Sequence, residues 1–142
     1  MNQEQRWAYL MQLDRELLQG GVVHSEWCSL IVREADTAFA NGANLAAILT
    51  AVSGIETYLR SETSQDQRVR LVDLINDAMI DDELKQDLHT LRKYRNSWVH
   101  VGDPSDDSRP LENPQVVVQE LESMAQFAVR VLRRTIYADP WL

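Results

Sequence analysis

Apolar residues along this chain recur at intervals of three and four and nowhere alternate with polar ones. That spacing predicts helices throughout and no sheet. Six helical segments can be traced. The first runs over residues 3–19 with Trp7, Leu10, Met11, Leu17 and Leu18 in period, and Gly20-Gly21 ends it. Ser25 is an N-cap for the second, with Trp27, Leu30, Ile31, Ala35 and Ala38 along one face, and Asn41-Gly42 stops it. Asn44 opens the third, which runs to about Arg60 with Leu45, Leu49, Val52 and Leu59 in register. A polar link over 61–65 leads to a fourth helix through Val69, Val72, Ile75 and Met79. Asp81 or Asp82 caps the fifth, to about Val101, on Leu84, Leu88, Leu91 and Trp98. Residues 102–113 form the one clear loop, and Pro114 suits the first turn of a last helix on Val117, Leu121, Met124, Ala128 and Val131. The expected fold is all-α, an up-down bundle of five to six helices.

Composition narrows this only a little. The chain has 142 residues, 44% of them hydrophobic and 25% charged, which suits one globular domain over 1–142 with its core at about 25–135. A single cysteine, Cys28, forms no internal disulfide. The first twenty residues lack an apolar run and no stretch is long enough to span a bilayer, so a cytoplasmic location without membrane contact is expected. Charge matters more. A formal net charge of −8 argues against sequence-blind coating of nucleic acid, because phosphate binding rests on Lys and Arg. Any action on RNA should then occur at a confined basic site.

Two charged residues interrupt apolar stripes. Glu56 falls between Val52 and Leu59 on the third helix, and Arg95 between Leu91 and Trp98 on the fifth. A charge on a core-facing position is normally paired or functional, and these two invite a Glu56–Arg95 pair. A structural reading stands beside it: Arg60 lies four residues after Glu56, a favourable helix-surface spacing, and Arg95 can snorkel to solvent.

Arg95 also begins a tighter group. Asn96 and His100 lie four apart on one helical face, with Arg95 about 100° round the axis. His100 falls in the last turn before Gly102, taken as a left-handed terminator, where the negative end of the helix favours the imidazolium. A cation, an amide and an imidazole at a helix end suit phosphodiester chemistry. The first neutralises developing charge, the second orients an oxygen and the third moves a proton.

The order AFANGANLAAIL, then IETYLR, then LRKYRNSWVH closing a helix resembles the HEPN family. Its motif is an arginine followed, after four to six residues, by a histidine, with a polar residue often directly after the arginine. Arg95, Asn96 and His100 match that motif, and Glu56 resembles the acid often found upstream. The resemblance spans residues 25–135 but is specific only in RNSWVH. It implies a metal-independent endoribonuclease with no cofactor, in which a ribose 2′-OH attacks the adjacent phosphate of an RNA substrate. His100 is then the general acid/base, Arg95 stabilises the phosphorane, Asn96 positions the phosphate or His100, and Glu56 orients Arg95. It also implies a homodimer joined across the Arg95/His100 face. Family members serve as toxins, anti-phage effectors and RNA-processing enzymes, so an antitoxin or other protein partner is in view. One toxin subgroup carries a tyrosine two residues after the histidine; Gly102 stands there, which argues against a nucleotide-modifying antitoxin. Many related domains are inactive and bind only nucleotides or proteins, which is the alternative reading.

Other groups carry less. Asp103, Asp106 and Asp107 lack the glycine and final glutamate of a calcium loop. His24, His89 and Cys28 lack zinc spacing. Gly20-Gly21 lacks a phosphate-loop Lys-Ser/Thr. Ser97 is wrongly spaced from His100 to act as its nucleophile. The four tryptophans are expected in the core, although Trp98 lies inside the RNSWVH motif and Trp141 either folds back onto the bundle or anchors against a partner or second subunit.

Overall fold

The computed structural model describes residues 1–18, 25–63 and 66–138. The expected stop at Gly20-Gly21, part of the 61–65 link, His24 and Trp141 therefore lie outside the described residues. Within them the chain forms seven α-helices and no strand: α1 Gln3–Leu17, α2 Glu26–Ala40, α3 Asn44–Thr63, α4 Leu71–Asp77, α5 Asp82–Val99, α6 Arg109–Glu112 and α7 Pro114–Ile136. No helix among them is long and apolar enough to cross a membrane.

Local chemistry explains most boundaries. Asn2 and Gln5 form a reciprocal capping box at the start of α1, with bonds of 2.8 and 2.9 Å. Ser25 Oγ accepts from Cys28 N at 3.1 Å, and Asp81 Oδ1 from Leu84 N at 2.7 Å. Between α2 and α3 the chain turns through Gly42 at φ +80°, a conformation only glycine adopts without strain, and Ala43 N donates back to Ala38 O at 2.9 Å.

α3 and α7 pack together at the centre. α2 lies against both, α1 covers α2 and α7, α4 and α5 cover α3, and α5 also meets α7. The core runs from Leu10 and Leu13 to Tyr137, so it reaches beyond 25–135 and includes α1. Small residues let the backbones approach. A Cβ on Gly54 would collide with the Ile31 side chain. Gly54→Ala is therefore expected to destabilise by roughly 1–3 kcal/mol through overpacking, outweighing its gain in helix propensity.

Several expectations on helix faces and ends fail. Trp7 and Met11 are exposed, at 42% and 58%, whereas Arg6 is buried. Arg6 donates to Phe39 O and Asn44 Oδ1, both at 2.8 Å, and so ties α1 to the α2–α3 turn. Trp27 and Leu30 are also exposed. α3 continues to Thr63, while α4 covers only seven residues and leaves Val69 and Met79 outside it. α5 ends at Val99 with His100 as its cap, and among the described glycines only Gly42 has a positive φ, so Gly102 is not a left-handed terminator. The stretch 102–113 is not a plain loop. It holds a 3₁₀ turn at Pro104–Asp106 and then α6.

The least legible feature is Arg133, fully buried on α7. Its Nε donates to Asp14 Oδ1 at 2.8 Å, and its terminal nitrogens reach the Asp36 carboxylate at 2.9 and 2.7 Å. Burial works against the Arg133 charge, but Asp36 and Asp14 outweigh it and hold its pKa above the ordinary value. Burial also pushes the Asp36 carboxyl up, with Arg133 opposing that rise. The triad joins α1, α2 and α7.

Candidate functional site

A hollow of about 280 Å³ opens between α3, α4 and α5, lined by Glu56, Arg70, Leu71, Val72, Arg92, Arg95, Asn96 and His100. All four residues singled out from sequence therefore meet in one place. Three arginines face one carboxylate there, so the hollow is locally basic in a chain of net charge −8.

Arg95 and Asn96 sit in the last turns of α5, whose Leu84, Leu88 and Leu91 fix the helix against the core. Both are half-buried, and each has a buried polar atom without a hydrogen-bond partner: Arg95 Nε and Asn96 Oδ1. Tyr94 Oη and Trp98 Nε1, on the same end of α5, are also buried without a protein partner; such atoms are uncommon in folded proteins and mark strain, function or a bound water. His100 is exposed at the helix end, where its backbone N donates to Asn96 O at 3.0 Å. It lines the hollow together with Arg95 and Asn96.

The expected Glu56–Arg95 ion pair does not form. Arg60 Nη2 meets Glu56 Oε1 at 3.2 Å, and the Glu56 side chain is 30% exposed. The competing structural reading of Glu56 is the observed one, because the partner four residues away on the same helix needs no tertiary closure. Arg60 has a second task. It donates to Asp66 O at 3.1 Å and Val69 O at 2.8 Å, fixing the segment that delivers Arg70 to the rim.

Other side chains brace the end of α5. Arg109 stacks 3.9 Å above the Trp98 ring, donates to Ser97 O at 2.8 Å and pairs with Asp107 at 2.6 Å. Ser97 Oγ donates to Tyr94 O at 2.6 Å, so its hydroxyl is engaged away from His100. Burial pushes the Tyr94 hydroxyl pKa up, with Trp98 and Glu120 close by. The acidic stretch thus serves as a strap: Asp107 holds Arg109, and Arg109 holds Trp98.

Arg70 and Arg92 were not anticipated. Arg92 follows His89 by three residues, a spacing that puts the two side chains in contact on a helix and is a signal for Arg92; no spacing in the sequence singles out Arg70. Among the described residues no group of three or more His, Cys, Asp or Glu is arranged to hold a metal ion. Comparison with known protein families, with curated proteins and with solved structures finds no match to this chain.

Proposed function

We propose that this chain is a metal-independent endoribonuclease of the HEPN type, with its active site in the α3–α4–α5 hollow. The observation that carries the reading is the meeting of an unpaired Arg95, an unsatisfied Asn96 and an exposed His100 in a locally basic hollow of an acidic protein. In the reaction, His100 takes the proton of a ribose 2′-OH as its oxygen attacks the adjacent phosphorus. The bond from phosphorus to the 5′-oxygen then breaks, and the imidazolium of a second copy's motif gives its proton to that leaving oxygen. Arg95 neutralises the charge that builds on the phosphorane, with Asn96 beside it to orient a phosphate oxygen. The products are a 2′,3′-cyclic phosphate and a 5′-hydroxyl. A homodimer across this face would supply a second copy of the motif, so that one imidazole serves as base and the other as acid.

The test is cleavage of RNA in EDTA, with the 2′,3′-cyclic phosphate identified on the product. His100→Ala is expected to lower the rate by about 10²–10⁴-fold, with the melting temperature nearly unchanged because the ring is exposed. Intact RNA with the wild type would remove this reading. A second one, a nucleotide-binding module without catalysis, draws on the capture of Glu56 by Arg60, which leaves Arg95 without its expected acid. That module would bind RNA and yield no product.

A further inference from the structure

Beyond the scissile centre, we propose that Arg92 and Arg70 form a second phosphate subsite in the hollow, and that His89 aims Arg92 into it. The proposal rests on the ribonuclease reading and extends it to the neighbouring nucleotide. Arg92 lies three residues before Arg95, about 4.5 Å along the helix axis, so their side chains share one face.

Arg92 is held at only one point. Its Nε donates to His89 Nδ1 at 3.3 Å, and no carboxylate pairs with its two terminal nitrogens among the described residues. Since Nδ1 accepts, the ring proton belongs on Nε2, which donates to Asn76 Oδ1 at 2.8 Å. Asn76 on α4 thereby fixes the tautomer that lets His89 receive Arg92. Burial, together with the nearby charges of Arg92, Lys93 and Lys85, pushes the His89 pKa down and keeps the ring in this neutral form. A carboxylate partner would have quenched the Arg92 charge; a neutral imidazole orients the guanidinium and leaves the charge available. On the opposite rim Arg70 is loosely held, 3.7 Å from Asp73, with both side chains largely exposed. A phosphate can displace so weak a pair.

The experiment measures binding of an oligoribonucleotide carrying 2′-O-methyl groups throughout, which cannot be cleaved by 2′-OH attack, over a range of KCl concentrations. For a single strand, each lost phosphate contact lowers the slope of log K against log salt by about 0.7. Arg92→Gln and Arg70→Gln should each reduce the slope by that amount. Arg68→Gln, a neighbouring arginine engaged by Asp66 and outside the hollow, should not. His89→Leu should weaken binding towards the Arg92→Gln level, and His89→Gln, whose amide oxygen can still accept, should restore it. A slope unchanged in Arg92→Gln while the wild type binds overturns the subsite. Binding unaffected by His89→Leu overturns the positioning role. A wild type that does not bind the oligonucleotide overturns the ribonuclease reading itself.

Discussion

Arg133 and Arg95 both stand where a helix turns towards the interior, and their surroundings differ in every respect that matters. Arg133 is fully buried and meets two carboxylates from two other helices. Arg95 is half-buried, has an unsatisfied Nε and opens onto a hollow shared with two further arginines. The first arrangement closes on itself and leaves nothing for a ligand. The second leaves Arg95 Nε without a partner, and the proposed function assigns that place to a phosphate. Unsatisfied buried polar atoms are uncommon in folded proteins, and on the reading proposed above the difference separates a structural arginine from a functional one.

The largest expected effect lies at the closed centre. Arg133→Met strands Asp36, which is only 14% exposed, beside Asp14. Breaking a buried ion pair from one side costs about 3–5 kcal/mol, which should lower the melting temperature by roughly 10 °C. A double-mutant cycle with Asp36→Asn should return a coupling of about 1–3 kcal/mol. No coupling would abolish the distinction between the two arginines. The matching change at the open centre, Arg95→Met, should leave stability within about 1 kcal/mol or raise it, since it removes an unsatisfied donor. A loss comparable to that of Arg133→Met would make Arg95 structural.

Smaller effects sharpen the contrast. Glu56→Gln breaks only a partly exposed pair with Arg60 and should cost about 0.5 kcal/mol in thermal unfolding. If Glu56 instead supported Arg95, RNA cleavage would fall far more than stability. The smallest effect concerns pH. Burial holds the His89 pKa below its ordinary value, so the folded state resists protonation that the unfolded chain accepts. Its contribution to stability is therefore present above the unfolded value of about 6.5 and is lost as pH falls through the depressed folded one. Melting curves of the wild type and His89→Gln between about pH 8 and pH 5 should converge on the acid side.

How much of this could be read from sequence depends on the range of each interaction. The caps at Ser25 and Asp81, the turn at Asn41-Gly42 and the start at Pro114 are set by neighbours within a few residues, and they were legible. The grouping of Arg95, Asn96 and His100 followed from spacing along one helix, whereas the place of Glu56 in the same hollow depends on how α3 packs beside α5, and its pairing with Arg95 does not form. The buried side of α1 was misread because Trp7 and Met11 match the apolar period better than Arg6, whose partners Phe39 and Asn44 lie 33 and 38 residues away. Arg133 was invisible for the same reason: Asp36 and Asp14 are 97 and 119 residues distant. Arg70 and Arg92 look like solvated surface until α4 packs against α5.

The most direct test of the account is the single-turnover rate of RNA cleavage in EDTA, compared between the wild type and Arg95→Gln at matched folded concentration. The wild type should cleave, and the variant should be slower by about 10²–10³-fold, the cost of removing one group that stabilises transition-state charge. Equal rates for the two proteins, or no cleavage by the wild type, would contradict it.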